Sequence, residues 1–375
     1  MGFLAKVWPF SPKQCTYFLA VIVAFSYCAM NFLDVEDGTL YFTRVNYLEG
    51  ASVLIYYNGY MSIPQQLLAY CLSFASPLIQ ALGYMIFTLL SLFYLINLLH
   101  KQVKNDILVL IFVAYLATFL PLWFYNIANS IWSHLMITAL IPVVLLESNK
   151  EFKWYHLLSV LFFSTALPIS LLTIPLYLIL FYKRDFQLSI AFAIFWIFTF
   201  SLFVLPDMGG PRLNIYHSLT TNIATFMSNP VDFFLPVMTL MSDPPSRFVE
   251  FLSFFGLIVI FLFNSYKSRT SLTDAALVFF AIGVYGLSFS TKTYPTFFLG
   301  PRYFFPSMIV FLILAEPYTR GFLRLFKTLS ILACLLVPLV FFERYYKVFD
   351  IKLTEFGYLT QGYQSNVLID RGGKN

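Results

Sequence analysis

Apolar residues run through this chain in long unbroken blocks, and polar residues gather in the gaps between them. Windows of membrane-spanning length find blocks at about 14–32, 67–99, 106–125, 130–146, 156–182, 187–205, 248–264, 273–290, 303–316 and 328–342. A helix needs roughly 20 apolar residues to cross a bilayer, so the pattern predicts a series of spanning helices. Two blocks need dividing. The block at 67–99 is too long for one span and Pro77 interrupts it, so its start reads as a helix lying at the membrane surface and its end as the second span. The block at 156–182 carries Pro168 and Pro175 and is either one long kinked helix or a tight hairpin of two short ones.

Composition points the same way. The 375 residues are 59% hydrophobic, 20% aromatic and only 11% charged, with 45 Phe and a mean hydropathy of +0.78, far outside soluble globular usage. The fold class expected is an all-α polytopic membrane protein without a large soluble domain. Most of the aromatic surplus must face lipid or neighbouring helices. The start, "MGFLAKVWPFSPK", has the positive flank of a signal sequence, but no clear cleavage site follows and the first block is expected to remain as a helix. Cys15, Cys28, Cys71 and Cys334 lie in apolar stretches without CxxC spacing, so neither disulfides nor a metal site is expected from them.

Charge chooses between the two readings of 156–182. With a hairpin there are about eleven transmembrane helices, and one face collects Lys6, Lys13, Lys101, Lys104, Lys150, Lys153, Lys183, Arg184, Lys267, Arg269, Arg320, Arg324 and Lys327. Basic loops mark the cytoplasmic side. A single span would move the later basic loops outward and erase the asymmetry. The hairpin reading therefore places the N-terminus in the cytoplasm, and puts the loops 33–66, 206–247 and 291–302 outside with the polar tail from 343 to 375. The net charge of +5 is scattered through short loops and forms no stripe, so no nucleic-acid partner is expected.

The first external loop is acidic: Asp34, Glu36, Asp37 and Glu49 have only Arg44 as a basic neighbour. The cytoplasmic loops are short and hold no phosphate-cradling glycine motif. Chemistry is expected on the outer face, without a nucleotide, and an enzyme working there must draw its activated group from a lipid carrier.

At this point the sequence resembles a family. Residues 34–68, "DVEDGTLYFTRVNYLEGASVLIYYNGYMSIPQQLL", look like the first external loop of the GT-C glycosyltransferases, membrane enzymes that use polyprenyl-phosphate-linked sugars. Glu36 and Asp37 match the acidic pair, "YLEG" the helix end, and "YNGYMSIPQQ", with Tyr60 and Gln65, the return to the second span. The Pro-broken hairpin resembles the short helix pair of that superfamily, and "GPRYFFP" at 300–306 resembles an Arg-Tyr element that opens a late span in bacterial members. The resemblance implies a GT-C-like transmembrane domain over 1–342, with a helical first external loop, in the bacterial inner membrane. The donor would be a polyprenyl-phosphate sugar, and the acceptor a lipid-linked glycan or other membrane-bound molecule, because no large external domain follows the last span. No "WWDYG"-like motif is present, which argues against transfer to Asn.

The residues suit that chemistry. A carboxylate can take the proton from an attacking hydroxyl, a role worth about 10²–10⁴-fold, and Asp37, followed by Gly38, is favoured as base over Glu36. The same acids would also suit the positive end of an interfacial helix. A departing phosphate needs fixed cations: Arg302, followed by Tyr303, is the first choice, and Lys292 and Arg212 the second. Each also reads as an interfacial anchor. His134, with Asn126, Asn129 and Trp132 nearby, forms a polar group near the outer end of the fourth span. It reads as an acceptor or sugar site or as polar helix packing, and Tyr60 and Gln65 join it as sugar-binding candidates. No cofactor is indicated, and a divalent cation is possible without being called for. The alternatives are a glycan polymerase of the O-antigen type and a flippase or transporter for a lipid-linked sugar. The absence of a convincing internal repeat weighs against the transporter.

The topology has a direct measurement. Reporter fusions are expected to place the 206–247 loop and the C-terminal tail outside, and the loops at Lys101 and Lys267 inside. A cytoplasmic C-terminus would remove the eleven-span arrangement.

Overall fold

The computed structural model describes residues 11–30, 62–119, 121–148, 153–184, 244–291 and 303–319, with three residue pairs between 220 and 228. All regular structure among the described residues is helical. In chain order the helices are α1 (Pro12–Met30), α2 (Ile63–Leu72), α3 (Pro77–Gln102), α4 (Asp106–Phe119), α5 (Ile127–Ser148), α6 (Trp154–Ser164), α7 (Ile174–Arg184), α8 (Pro244–Tyr266), α9 (Leu272–Thr291) and α10 (Phe305–Thr319). Short 3-10 turns at Pro121–Phe124 and Pro168–Thr173 interrupt the series. The blocks at 187–205 and 328–342, and with them the total of eleven spans, lie outside the described residues.

The long block at 67–99 divides as its proline dictates. A bend at Ser73–Ser76 separates α2 from α3, and Pro77 opens α3 in its first turn, where a missing N–H costs nothing. The two helices pack closely: a Cβ on Gly83 would lie 2.4 Å from Leu72 Cδ1.

The block at 156–182 is also broken. Helix α6 stops at Ser164, and the 3-10 turn begins at Pro168, which has no N–H to continue the ladder. Hydroxyls recover the backbone groups this strands: Thr165 Oγ1 donates to Phe162 O at 2.7 Å, Ser170 Oγ to Ser164 O at 2.8 Å, and Thr173 Oγ1 to Ser170 O at 2.6 Å. Such substitution lets a proline break sit inside an apolar bundle. The chain then turns back. Ala166 lies at the level of Ser62, whereas Tyr177, in α7, donates to Thr138 O at 2.6 Å, further towards the C-terminal end of α5.

Helix α5 is the centre. Every residue from Ile127 to Leu145 is buried, and α3, α6 and α7 pack around it with the 3-10 turns. By length and composition, Leu78–Gln102 and Ile127–Ser148 can each cross a membrane. The outer helices carry apolar side chains on both faces. On α3, Ile79, Ile86 and Leu90 are exposed, and on α8 Leu252, Phe255, Val259 and Leu262 form an exposed stripe at helical spacing. Helices apolar all round suit a lipid surrounding.

Helices α8 and α10 meet through a small residue. A Cβ on Gly256 would lie 2.9 Å from the Phe311 ring, while one on Gly286 of α9 would meet nothing within 4 Å. Gly256→Leu is therefore expected to destabilise the protein by about 1–3 kcal/mol, read as a lower unfolding midpoint in detergent. Gly286→Leu should leave the midpoint near wild type; equal losses in both variants would contradict close α8–α10 packing.

Candidate functional site

The N-terminal end of α5 holds the polar side chains singled out from sequence, and short-range forces explain how each is set. Asn126 caps the helix: its Oδ1 accepts from Asn129 N at 3.1 Å, satisfying a donor of the first turn. Beyond it, the face of α5 towards α2 and α3 carries Ser130 and His134, one helical turn apart.

Helix α2 lies against that face with Pro64, Gln65, Gln66 and Ala69 buried. Gln65 Nε2 donates to Ser130 Oγ at 2.8 Å and contacts His134 Nδ1 at 3.1 Å. Ser91 of α3 contacts His134 Nε2 at 2.9 Å. The directions follow from donor counting. Ser130 Oγ gives its hydrogen to Ile127 O at 2.6 Å, so it accepts from Gln65. An amide nitrogen only donates, so His134 Nδ1 accepts and Nε2 carries the ring hydrogen. That hydrogen goes to Ser91 Oγ, whose own hydrogen goes to Phe87 O at 2.9 Å. At the other end, Ser62 Oγ donates to Gln65 Oε1 at 2.6 Å and lies 3.2 Å from Ala166 O. Ser62 precedes α2 but caps nothing with its side chain, because its hydroxyl is engaged here.

One buried chain of hydrogen bonds thus joins α2, α3, α5 and the turn after α6. Phe87 stands edge-on to the His134 ring at 5.5 Å and Phe163 tilts against it at 4.6 Å. His134 and Gln65 are both 0% exposed, and their side-chain polar atoms are all engaged within the chain. These contacts hold α2, α3 and α5 together.

Asn129 and Trp132 differ. They lie three residues apart on α5, on one side of the helix, and are 8% and 3% exposed. Among the described residues, Trp132 Nε1 is buried without a hydrogen-bond partner. A buried orphan donor is rare in a folded chain. The Trp132 ring meets Tyr303 edge-on, with centroids 5.3 Å apart.

Tyr303 begins a run of three aromatics that splay in three directions. Tyr303 goes to Trp132 of α5. Phe304 goes to Tyr285 of α9 at 5.3 Å and Phe254 of α8 at 6.4 Å. Phe305 stacks on Trp123 at 4.1 Å and tilts against Phe112 of α4 at 5.9 Å. The start of α10 is therefore gripped from three sides, directly after Arg302. Among the described residues no group of three or more His, Cys, Asp or Glu is placed to hold a metal ion.

Comparison with protein-family models, curated proteins and solved structures finds no match to this chain.

Of the residues proposed from sequence, Gln65, Asn129, Trp132, His134 and Tyr303 are described. The structure joins Gln65 to His134 and Trp132 to Tyr303. Glu36, Asp37, Tyr60, Arg212, Lys292 and Arg302 lie outside the described residues. Sequence reasoning missed Ser62, Ser91 and Ser130. Their only signal is a hydroxyl inside or beside an apolar block, a feature shared by serines that merely bond the preceding turn, as Ser148 does to Val144 O.

The hydrogen-bond chain has a measurable signature. Gln65→Leu and His134→Leu should each cost about 1–2 kcal/mol, and the double variant should lose less than the sum, because either change alone strands the other's partner. Additive losses in a double-mutant cycle, read from unfolding in detergent, would mean that the two side chains do not interact.

Proposed function

We propose that the chain is an integral membrane glycosyltransferase of the GT-C type, transferring a sugar with inversion from a polyprenyl-phosphate donor to a lipid-linked glycan or another membrane-associated acceptor. The observation that carries the reading is the corner formed by Asn129, Trp132 and Tyr303. It offers an indole N–H with no partner among the described residues, beside the Asn129 amide and an aromatic edge, and a sugar suits this combination: hydroxyls to satisfy a buried polar group and a ring face to lie on. Tyr303 ties this corner to Arg302, the residue proposed to receive the donor phosphate.

In this reading the roles divide by depth. Asn129 and Trp132 contact the sugar. Gln65 and His134 act as positioning residues: by fixing α2 they set where the preceding loop, with Glu36 and Asp37, returns to the bundle. One of those carboxylates, with Asp37 favoured, removes the proton from the acceptor hydroxyl as its oxygen attacks the anomeric carbon. The bond from that carbon to the phosphate oxygen breaks, and the electrons leave with the lipid phosphate. Arg302 would receive the growing charge through two parallel hydrogen bonds, a geometry that lysine cannot reproduce, with Lys292 and Arg212 in support. The N-terminal end of α5 is then the external face, in a bacterial inner membrane.

Two helices long and apolar enough to cross a membrane and the exposed apolar side chains of α3 and α8 support the membrane setting, and the lack of a nucleotide-cradling motif in the sequence supports a lipid-borne donor. The test is turnover by the purified protein on a panel of polyprenyl-phosphate sugars. Asp37→Asn or Glu36→Gln should lose about 10²-fold or more with unchanged folding, and Arg302→Lys should lower the chemical step clearly, with Arg302→Ala worse. Wild-type turnover in Arg302→Lys would sink the phosphate clamp, and full activity in both acid variants would leave helix capping as their role.

A further inference from the structure

A cleft of about 1330 Å³ opens at the other end of the bundle, where α3, α5, α8 and α10 finish and α6 and α9 begin. Its rim carries four cations, Lys101, Lys104, Lys153 and Arg269, from three different interhelical junctions, and its deeper wall is apolar, with Leu98, Ile141, Leu145, Ile313 and Leu314. Three acids also line it: Glu147, Asp274 and Glu316.

Acids and cations are in different states. Asp274 Oδ2 accepts from Ser271 N and Ser271 Oγ, both at 2.8 Å, and so is used to start α9. Gln102, with its amide nitrogen turned to the carboxylate, donates to Glu147 Oε1 and Oε2 at 3.1 and 3.0 Å. Glu316 is buried, at 6% exposure. Lys104, Lys153 and Arg269 are exposed, and among the described residues none of the three makes an ion pair. The fold has gathered like charges at one opening and turned two of the three carboxylates there, Asp274 and Glu147, to neutral donors, with the Lys104 charge still acting on Glu147.

We propose that this cleft binds the phosphate of an anionic lipid, with Lys104, Lys153 and Arg269 around the headgroup and the first methylenes of its chains against the apolar wall. An anion shared by three converging cations relieves their mutual repulsion, and basic pockets between helices at a membrane surface bind acidic headgroups in this way. Size favours a lipid over a free ion. The cleft exceeds the roughly 300–1,000 Å³ of ordinary small-molecule pockets, so inorganic phosphate would leave most of it, including the apolar wall, to water. The inference rests on the membrane setting proposed above and not on the transfer chemistry.

The full chain, purified in a neutral detergent, is titrated in mixed micelles with dioleoyl phosphatidic acid, with dioleoyl phosphatidylcholine, and separately with inorganic phosphate, with binding read by native mass spectrometry and by the unfolding midpoint. Phosphatidic acid should bind about tenfold or more tightly than phosphatidylcholine. The combined variant Lys104→Gln, Lys153→Gln, Arg269→Gln should lose about tenfold or more in that affinity. Lys13→Gln, which removes an exposed cation of α1 outside the cleft, should bind within twofold of wild type. If the combined variant folds poorly, Lys104→Gln and Arg269→Gln singly should each weaken binding about fivefold. Equal affinity for the two lipids, wild-type affinity in the cleft variants, or equal loss in Lys13→Gln would overturn the site. Phosphate that binds as well as the lipid, or displaces it at low millimolar concentration, would overturn the lipid as its ligand. Extraction of the chain by alkaline carbonate would instead reject the membrane setting, and so separates the two failures.

Discussion

An imidazole buried among apolar helices must find a partner for each ring nitrogen, and much of the architecture follows from how His134 does so. Ser91 receives the hydrogen on Nε2, and Gln65 supplies one to Nδ1. To reach that ring, Gln65 must point inward from α2, which lays the short helix across α3 and α5. Its oxygen then needs a donor, which Ser62 provides, and Ser62 in turn lies beside the Ala166 carbonyl in the turn after α6. Leaving any one of these groups unpaired in a dry interior costs about 1–3 kcal/mol, so the contacts stand or fall together. The break at Pro168 belongs to the same arrangement, because only a chain that has left the helix presents a free carbonyl there.

The two ends of α5 use polar residues in opposite ways. At its N-terminal end the His134 chain is saturated, and beside it the Trp132 indole N–H has no partner among the described residues. At its C-terminal end the carboxylates of Glu147 and Asp274 accept from neutral donors, while among the described residues Lys104, Lys153 and Arg269 make no ion pair. In a bundle whose helices are apolar on both faces, unused polar capacity is costly and therefore informative. Function is proposed at these two places for that reason, with a sugar at one and a lipid phosphate at the other.

The aromatic run after Arg302 shows how a featureless-looking stretch acquires a role. Tyr303, Phe304 and Phe305 are three ordinary apolar residues in a chain crowded with them. Successive residues of a starting helix point about 100° apart, so each ring meets a different wall: Trp132, then Tyr285 and Phe254, then Trp123 and Phe112. The backbone that follows Arg302 is gripped accordingly.

Local chemistry was enough to read the helices. Hydropathy is summed over neighbouring residues, so the blocks around α3, α5, α8 and α9 declare themselves. Pro77 and Pro168 mark breaks because a missing N–H acts where it stands. The sequence also singled out His134, as a polar group inside an apolar block, and Gln65, through the resemblance of the stretch that holds it to a GT-C loop. It could not say that they meet each other, that the nearby Trp132 indole N–H finds no partner among the described residues, or that Lys104, Lys153 and Arg269 share one opening. Those facts depend on which helix faces meet across long stretches of chain, and hydrophobic burial, being non-directional, does not encode them residue by residue. Only the packed bundle, where each buried donor has a few acceptors within reach, decides which polar groups are used up and which remain for chemistry.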